Sequence, residues 1–148
     1  MEEISRLLNA EELNHKDTPV KLEDTGIVFG HVSFSYDGIT EVLHDVNLAI
    51  QPGTMTALVG PSGSGKSTVA KLIAGYWDVT SGSITLGDHE MKDIPLSEIA
   101  DQISYVSQDN YLFNRSIREN IRMGRPSATD AEVEQAARQS GCDAFIRR

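Results

Sequence analysis

The sequence has one cysteine, no surplus of positive charge and no long apolar run, and each shortage closes off a class of function. Cys142 stands alone among 148 residues, so no intramolecular disulfide and no cysteine-based zinc site can form, which fits a reducing compartment. The four histidines, His15, His31, His44 and His89, are scattered without metal-ligand spacing. Lysine and arginine number 13 against 22 aspartates and glutamates, a net charge of −9. A nucleic-acid binder needs a basic face for phosphates, so no nucleic-acid partner is expected. A nucleotide is not excluded, because one lysine and a ring of backbone N–H groups hold a triphosphate on an acidic protein. No apolar run approaches the roughly 18 residues of a membrane span. Glu2, Glu3 and Arg6 interrupt the first ten residues, so these do not read as a secretory signal.

What is present suits one globular domain, with 39% hydrophobic and 24% charged residues. Residues 1–23 read as a connector: Ile4-Ser5-Arg6-Leu7-Leu8 suits a short helix, and the polar stretch from Asn14 ends at Pro19. A frayed terminus is an equal reading. Residues 24–148 read as one domain. Val32, Phe34 and Tyr36 alternate with His31, Ser33 and Ser35, giving a strand over 28–36 that ends at the turn Asp37-Gly38. Val46, Leu48 and Ile50 give a second strand, broken by Pro52-Gly53, and 54–59 a third that runs into a glycine-rich loop. A helix over 67–74 turns Val69, Ala70, Leu72 and Ile73 inward and closes at Gly75. Further strands are expected over 83–86 and 103–106, with Ser81-Gly82-Ser83 read as a turn. Ser116 to Glu119 and Thr129 to Glu132 both read as capping boxes, the first opening a short helix to about Arg122 and the second a longer one reaching Phe145. This is an α/β domain with an antiparallel strand group near its start.

Gly60-Pro61-Ser62-Gly63-Ser64-Gly65-Lys66-Ser67 fits the phosphate-loop pattern without a mismatch. Its glycines let the backbone curl so that several N–H groups point into one hollow. The helix behind it adds its positive end. Lys66 is placed for the β- and γ-phosphates, and the Ser67 hydroxyl for a Mg²⁺ ion that keeps most of its water. The loop alone does not choose among kinases, GTPases and transport ATPases.

The surrounding sequence resembles the ATP-binding cassette domain of exporters, from about Val28 onward. Phe34-Ser35-Tyr36-Asp37-Gly38, then Val42-Leu43-His44-Asp45-Val46-Asn47-Leu48-Ala49-Ile50, Pro52-Gly53 and the P-loop follow the family's order. So do Gly82-Ser83-Ile84, Tyr105-Val106-Ser107-Gln108 and Ser116-Ile117-Arg118-Glu119-Asn120-Ile121. The resemblance implies a P-loop NTPase fold that binds ATP with Mg²⁺ through Gly60 to Thr68. It implies that Tyr36 stacks on adenine, although periodicity alone makes Tyr36 part of its strand's apolar face. Gln108 is implied to touch the Mg²⁺ and the attacking water, and Lys66 and Gln108 are the expected catalytic contributors. A polar amide that merely ends a strand is the other reading of Gln108. Tyr111, Leu112 and Phe113 suit either a docking surface or local packing.

The resemblance further implies a membrane-spanning transporter domain and a second cassette as partners, at the cytoplasmic face of a membrane. Yet the sequence holds no Ser-Gly-Gly-Gln signature and no Asp-Glu pair, which the family uses against the γ-phosphate, the metal and the attacking water. The chain therefore reads as the N-terminal part of such a domain, one that binds ATP without turning it over. The alternatives are a nucleoside-monophosphate kinase, whose glycine-rich loop usually sits near the chain start, and a DNA-maintenance ATPase, which would need a heptad run after Gln108. A non-catalytic nucleotide-binding fragment is the third.

Overall fold

The computed structural model describes residues 13, 15–109 and 111–147. The expected helix at Ile4 to Leu8 lies outside them. The chain divides into two compact units, one up to Val106 and one from Ser107 on.

The first unit is built on a four-stranded antiparallel sheet of order β2-β1-β3-β4. Its strands are β1 (Ile27–Ser35), β2 (Glu41–Ile50), β3 (Ser81–Leu86) and β4 (His89–Glu90). Phe29, Val32 and Phe34 of β1 are all buried, although strict alternation would turn Phe29 and Val32 to opposite faces. A bulge between them supplies the extra residue: His31 takes a left-handed backbone (φ 52°) and the pairing with β2 shifts register there. Gly82 of β3 passes so close to this bulge that a Cβ on it would lie 2.3 Å from the His31 carbonyl oxygen. Ser81-Gly82-Ser83 is therefore strand, not turn, because only glycine lets the two backbones approach so closely.

Helix α1 (Lys66–Ile73) packs Val69 and Leu72 against the buried strand residues Phe29, Phe34, Leu43, Ile84 and Leu86. Burying a side chain such as Leu72 is worth about 1.5–3 kcal/mol. The helix ends in a Schellman arrangement: Gly75 (φ 71°) donates to the Leu72 carbonyl and Tyr76 N–H to that of Lys71, at 3.0 and 3.1 Å. A single 3₁₀ turn (Met91–Asp93) and α2 (Leu96–Gln102) close the core with Met91, Ile94 and Ile99.

Two expected strands are absent. Residues 54–59 and 103–106 carry strand-like apolar sequence, but they pair with no strand among the described residues. Met55 is fully exposed and Val59 is 89% exposed. A strand exists only when its N–H and C=O groups find a neighbouring ladder, and here the sequence supplies the residues without the neighbour.

The connector's described part is tied down. His15, with a side chain 6% exposed, hydrogen-bonds the Ile94 carbonyl through Nδ1 (2.8 Å) and Asp78 Oδ1 through Nε2 (3.2 Å). Lys16 pairs with Asp93 at 2.9 Å, and Val20 N–H donates to Glu98 at 3.1 Å.

The second unit holds α3 (Ile117–Arg122), α4 (Asp130–Gln139) and α5 (Asp143–Ile146). Ser116 caps α3 by accepting from Glu119 N–H, which is half of the expected capping box. Thr129 and Glu132 form the complete one on α4. The long helix expected to reach Phe145 instead breaks at Gly141 (φ 75°), where Gly141 and Cys142 donate back to Arg138 and Ala137. Along α4 and α5 Val133 and Ala137 are buried and Ile146 is half-buried, while Ala136, Ala144 and Phe145 are exposed. Arg122, in contact with Glu119, Asp130 and the Ala128 carbonyl, joins α3 to the start of α4. The Asn120 amide fixes the approach to α3 by bonding Phe113 N–H and the carbonyls of Phe113, Arg115 and Ser116.

Candidate functional site

The glycine-rich loop and α1 form the chemically distinctive part of the first unit. Gly63 and Gly65 take left-handed backbones (φ 80° and 82°) that L side chains rarely adopt. Gly65 is required twice over, since a Cβ there would stand 2.4 Å from Leu43 Cδ2 on β2. Strand β2 is thus the backstop against which the helix start is seated.

Gly65 is also the N-cap of α1, and it offers no side chain to the first-turn N–H groups. The first turn carries no acidic residue. Most helices neutralise this end with a Ser, Thr or Asp cap, as α3 and α4 do here. The start of α1 keeps its positive end and its N–H donors available. Above it, Lys66 Nζ folds back onto the loop and donates to Pro61 O (2.7 Å), Gly60 O (3.0 Å) and Ser64 Oγ (3.1 Å). A lysine ammonium beside an uncapped helix start with no acid in its first turn is a donor set for a polyanion, so the residues present fit a nucleotide's phosphates. The Ser67 side chain lies at the exposed start of the helix, next to Lys66. Thr68 is buried (6% exposed).

Tyr36 lies just beyond the end of β1, and its hydroxyl is 3.2 Å from Thr68 Oγ1. The structure therefore brings Tyr36 to the first turn of the P-loop helix, 32 residues along the chain. The ring is 43% exposed, not buried as a strand's apolar face would be. It meets Phe34 edge-to-face at 4.7 Å and Trp77 at 5.4 Å, with Lys71 Nζ 6.0 Å from its centroid. Sequence reasoning passed over Trp77; its only signal was a lone tryptophan soon after the P-loop helix.

The turn that follows Tyr36 is held by one carboxylate. Asp37 Oδ1 accepts from Thr40 N–H (2.7 Å), Ile39 N–H (2.8 Å) and Ser35 Oγ–H (2.8 Å). These bonds, led by those from the Thr40 and Ile39 backbone, lower the Asp37 pKa to about 2.

Gln108 belongs to the second unit, where it is exposed. Tyr111 and Phe113 contact each other edge-to-face at 4.9 Å, and Tyr111 and Leu112 are largely exposed. No group of three or more His, Cys, Asp or Glu residues among the described residues is arranged to hold a metal ion.

Residues 43–148 match the family model described as ABC transporter. A Staphylococcus aureus protein named as a multidrug export ATP-binding/permease protein is 44% identical over 129 residues, which are 86% of this chain and 22% of that protein. The heavy metal tolerance protein of Schizosaccharomyces pombe is 44% identical over 119 residues, 80% of this chain and 14% of that protein. Among solved structures, a bacterial Atm1-family ABC exporter with ATP bound aligns with a TM-score of 0.88 at 32% identity, covering 99% of this chain and 26% of that one. The chain thus spans about a seventh to a quarter of the length of these relatives.

Proposed function

Because the chain belongs to the ABC transporter family, as part of an exporter-type ATP-binding domain, we propose that its first unit binds ATP with Mg²⁺ through Tyr36 and residues 60–68. The observation that carries this reading is the start of α1: a helix opened by left-handed Gly65, with no capping side chain and no first-turn acid, and with the Lys66 ammonium held over its loop.

Each residue then has a defined task. Gly60, Pro61, Ser62, Gly63, Ser64 and Gly65 shape the hollow, and the N–H groups at the helix start donate to phosphate oxygens. Lys66 exchanges its neutral acceptors on the loop for anionic ones. At about 4 Å and an effective dielectric near 20, one such charge pair is worth on the order of 4 kcal/mol before desolvation. The Ser67 hydroxyl would hold Mg²⁺ on this unit, and the ion would neutralise phosphate charge. Tyr36 offers its ring to adenine. For the parent protein the proposal extends to Gln108, as the family resemblance implies.

For the chain by itself the reading is nucleotide binding without turnover. Neither an Asp-Glu pair nor a Ser-Gly-Gly-Gln segment occurs in the sequence, so no positioned base and no opposing donor set are at hand. For the parent protein we propose a transport ATPase. In it this domain pairs with a second cassette and couples ATP hydrolysis to a membrane-spanning domain, on the cytoplasmic side. The names of the relatives, which speak of export and of a permease, support this. Among the described residues no helix is long and apolar enough to cross a membrane.

Calorimetric titration of the folded chain with Mg-ATP and Mg-ADP tests the binding. Saturable heat is expected from both, and Lys66→Ala should abolish it without changing the circular dichroism spectrum. A chain that is folded yet gives neither heat nor thermal shift at millimolar nucleotide refutes the reading.

A further inference from the structure

Tyr36 does not project freely from the end of β1. Its hydroxyl is tethered to Thr68, and Phe34, which is buried, meets its ring edge-to-face at an interplanar angle of 85°. The remaining aromatic contact comes from a different segment. Trp77 stands at 88° to the Tyr36 ring, with centroids 5.4 Å apart, and also reaches Phe34 at 6.3 Å. Edge-to-face pairs at such separations are directional, because the positive rim of one ring seeks the negative face of the other. A ring held by a tether and two such contacts has its tilt fixed.

The segment that carries Trp77 is itself held at both ends. Before it stands the Schellman closure of α1 through Gly75 and Tyr76. After it, Thr80 N–H donates to the Ser33 carbonyl at 3.0 Å, and Thr80 Oγ1 accepts from Ser35 N–H at 3.1 Å. Asp78, the next residue, is bonded by His15. The two Thr80 bonds tie the segment to the last residues of β1, directly before Tyr36. Trp77 is 45% exposed, so burial in the core is not what keeps it there.

We propose that Trp77 is the positioning residue for the Tyr36 ring, and that the base-dependent part of nucleotide affinity is set by this Trp–Tyr contact. This rests on the reading of Tyr36 as the adenine platform. A platform gains most from stacking when its plane is fixed before the base arrives, because no ordering is then left to accompany binding. Without Trp77 the ring keeps its hydroxyl tether and the Phe34 contact but can rock about them. The phosphate loop has no part in this contact. Trp77 therefore acts on the base and not on the triphosphate, which separates positioning from general support of the fold.

The test is a comparison of Mg-ATP with Mg-tripolyphosphate by calorimetry on the full chain and its variants. Trp77→Ala should weaken ATP about three- to tenfold, the scale of one aromatic contact, and leave tripolyphosphate within about twofold. Trp77→Phe, which keeps a ring, should restore most of the ATP affinity. Adding Trp77→Ala to Tyr36→Ala should cost nothing further. Because Trp77 is the sole tryptophan, its fluorescence gives a second readout, shifting with ATP and not with tripolyphosphate. If Trp77→Ala weakens both ligands alike, or neither, the positioning role is refuted while the Tyr36 platform stands. If Tyr36→Ala leaves the ratio of the two affinities unchanged, the platform reading fails, and this inference with it.

Discussion

His31 on β1 and Asp45 on β2 both hold left-handed backbones, with φ of 52° and 47°, and are joined side chain to side chain at 2.7 Å. Neither is glycine. Around them His31 N–H donates to Asn47 Oδ1 at 3.0 Å and Asp45 N–H to Ser33 Oγ at 3.1 Å. Short polar side chains thus take up the N–H groups that the irregular pairing frees, and Phe29 and Val32 can both turn into the core.

His31→Gly is therefore expected to stabilise the chain slightly. Left-handed strain at a non-glycine residue costs on the order of 1–3 kcal/mol. Glycine offsets roughly 1 kcal/mol of that through its entropy. The exposed His31–Asp45 pair contributes little. The net gain is up to about 2 kcal/mol, whereas His31→Val should lose stability because a β-branched residue tolerates this conformation least. Urea midpoints decide; a lower midpoint for His31→Gly than for the parent chain contradicts the strain argument.

Gly65→Ala should damage the fold as well as the site. Its Cβ would meet Leu43 Cδ2 at 2.4 Å, in a backbone region alanine avoids. Overpacking of this kind costs about 1–3 kcal/mol, so the urea midpoint should fall along with nucleotide affinity. Lys66→Ala, by contrast, should leave the midpoint nearly unchanged. If both variants melt like the parent, β2 is not the backstop assigned to it.

Phosphate release from purified chain should not exceed that of Lys66→Ala, the control for contaminating ATPases. Losing a positioned base lowers a rate by roughly 10²- to 10⁴-fold, and the absent signature removes donors that act in the same unit. Turnover well above the control would assign a catalytic role to a carboxylate of this chain, with Asp109, beside Gln108, the first to be substituted.

The Asp37 turn should persist far into acid. The folded pKa of about 2 lies below the ordinary aspartate value of 3.8. The carboxylate's contribution is therefore fully present above the higher value and is lost as pH falls through the lower one. Amide protons of Ile39 and Thr40, followed by NMR, should keep their shifts down to about pH 3 and move as the carboxyl protonates. Asp37→Asn should remove that transition. Movement centred near the ordinary aspartate value would show that the turn does not hold the anion.

Features built from neighbours in sequence were readable, and those built from distant partners were not. The P-loop, the Thr129–Glu132 capping box and the Gly75 helix stop need only residues a few positions apart, so spacing exposes them. The continuous helix to Phe145 misjudged Gly141, which closes α4 in the same way that Gly75 closes α1. Residues 54–59 and 103–106 have the composition of strands, but pairing is a property of the neighbour. The bulge at His31 hid Phe29 because it breaks the period-2 rule by one residue. Helix α2 escaped notice since few apolar positions mark it among polar ones. The Tyr36–Thr68 bond and the Trp77 contact join segments whose proximity only the fold creates.

Segment 54–59, apolar, exposed and paired with no strand among the described residues, offers an edge with which an added strand could pair. A second polypeptide carrying the partner strands of a relative's domain would find both a hydrogen-bonding template and an apolar face waiting. Assembly could then be driven simply by mixing the two.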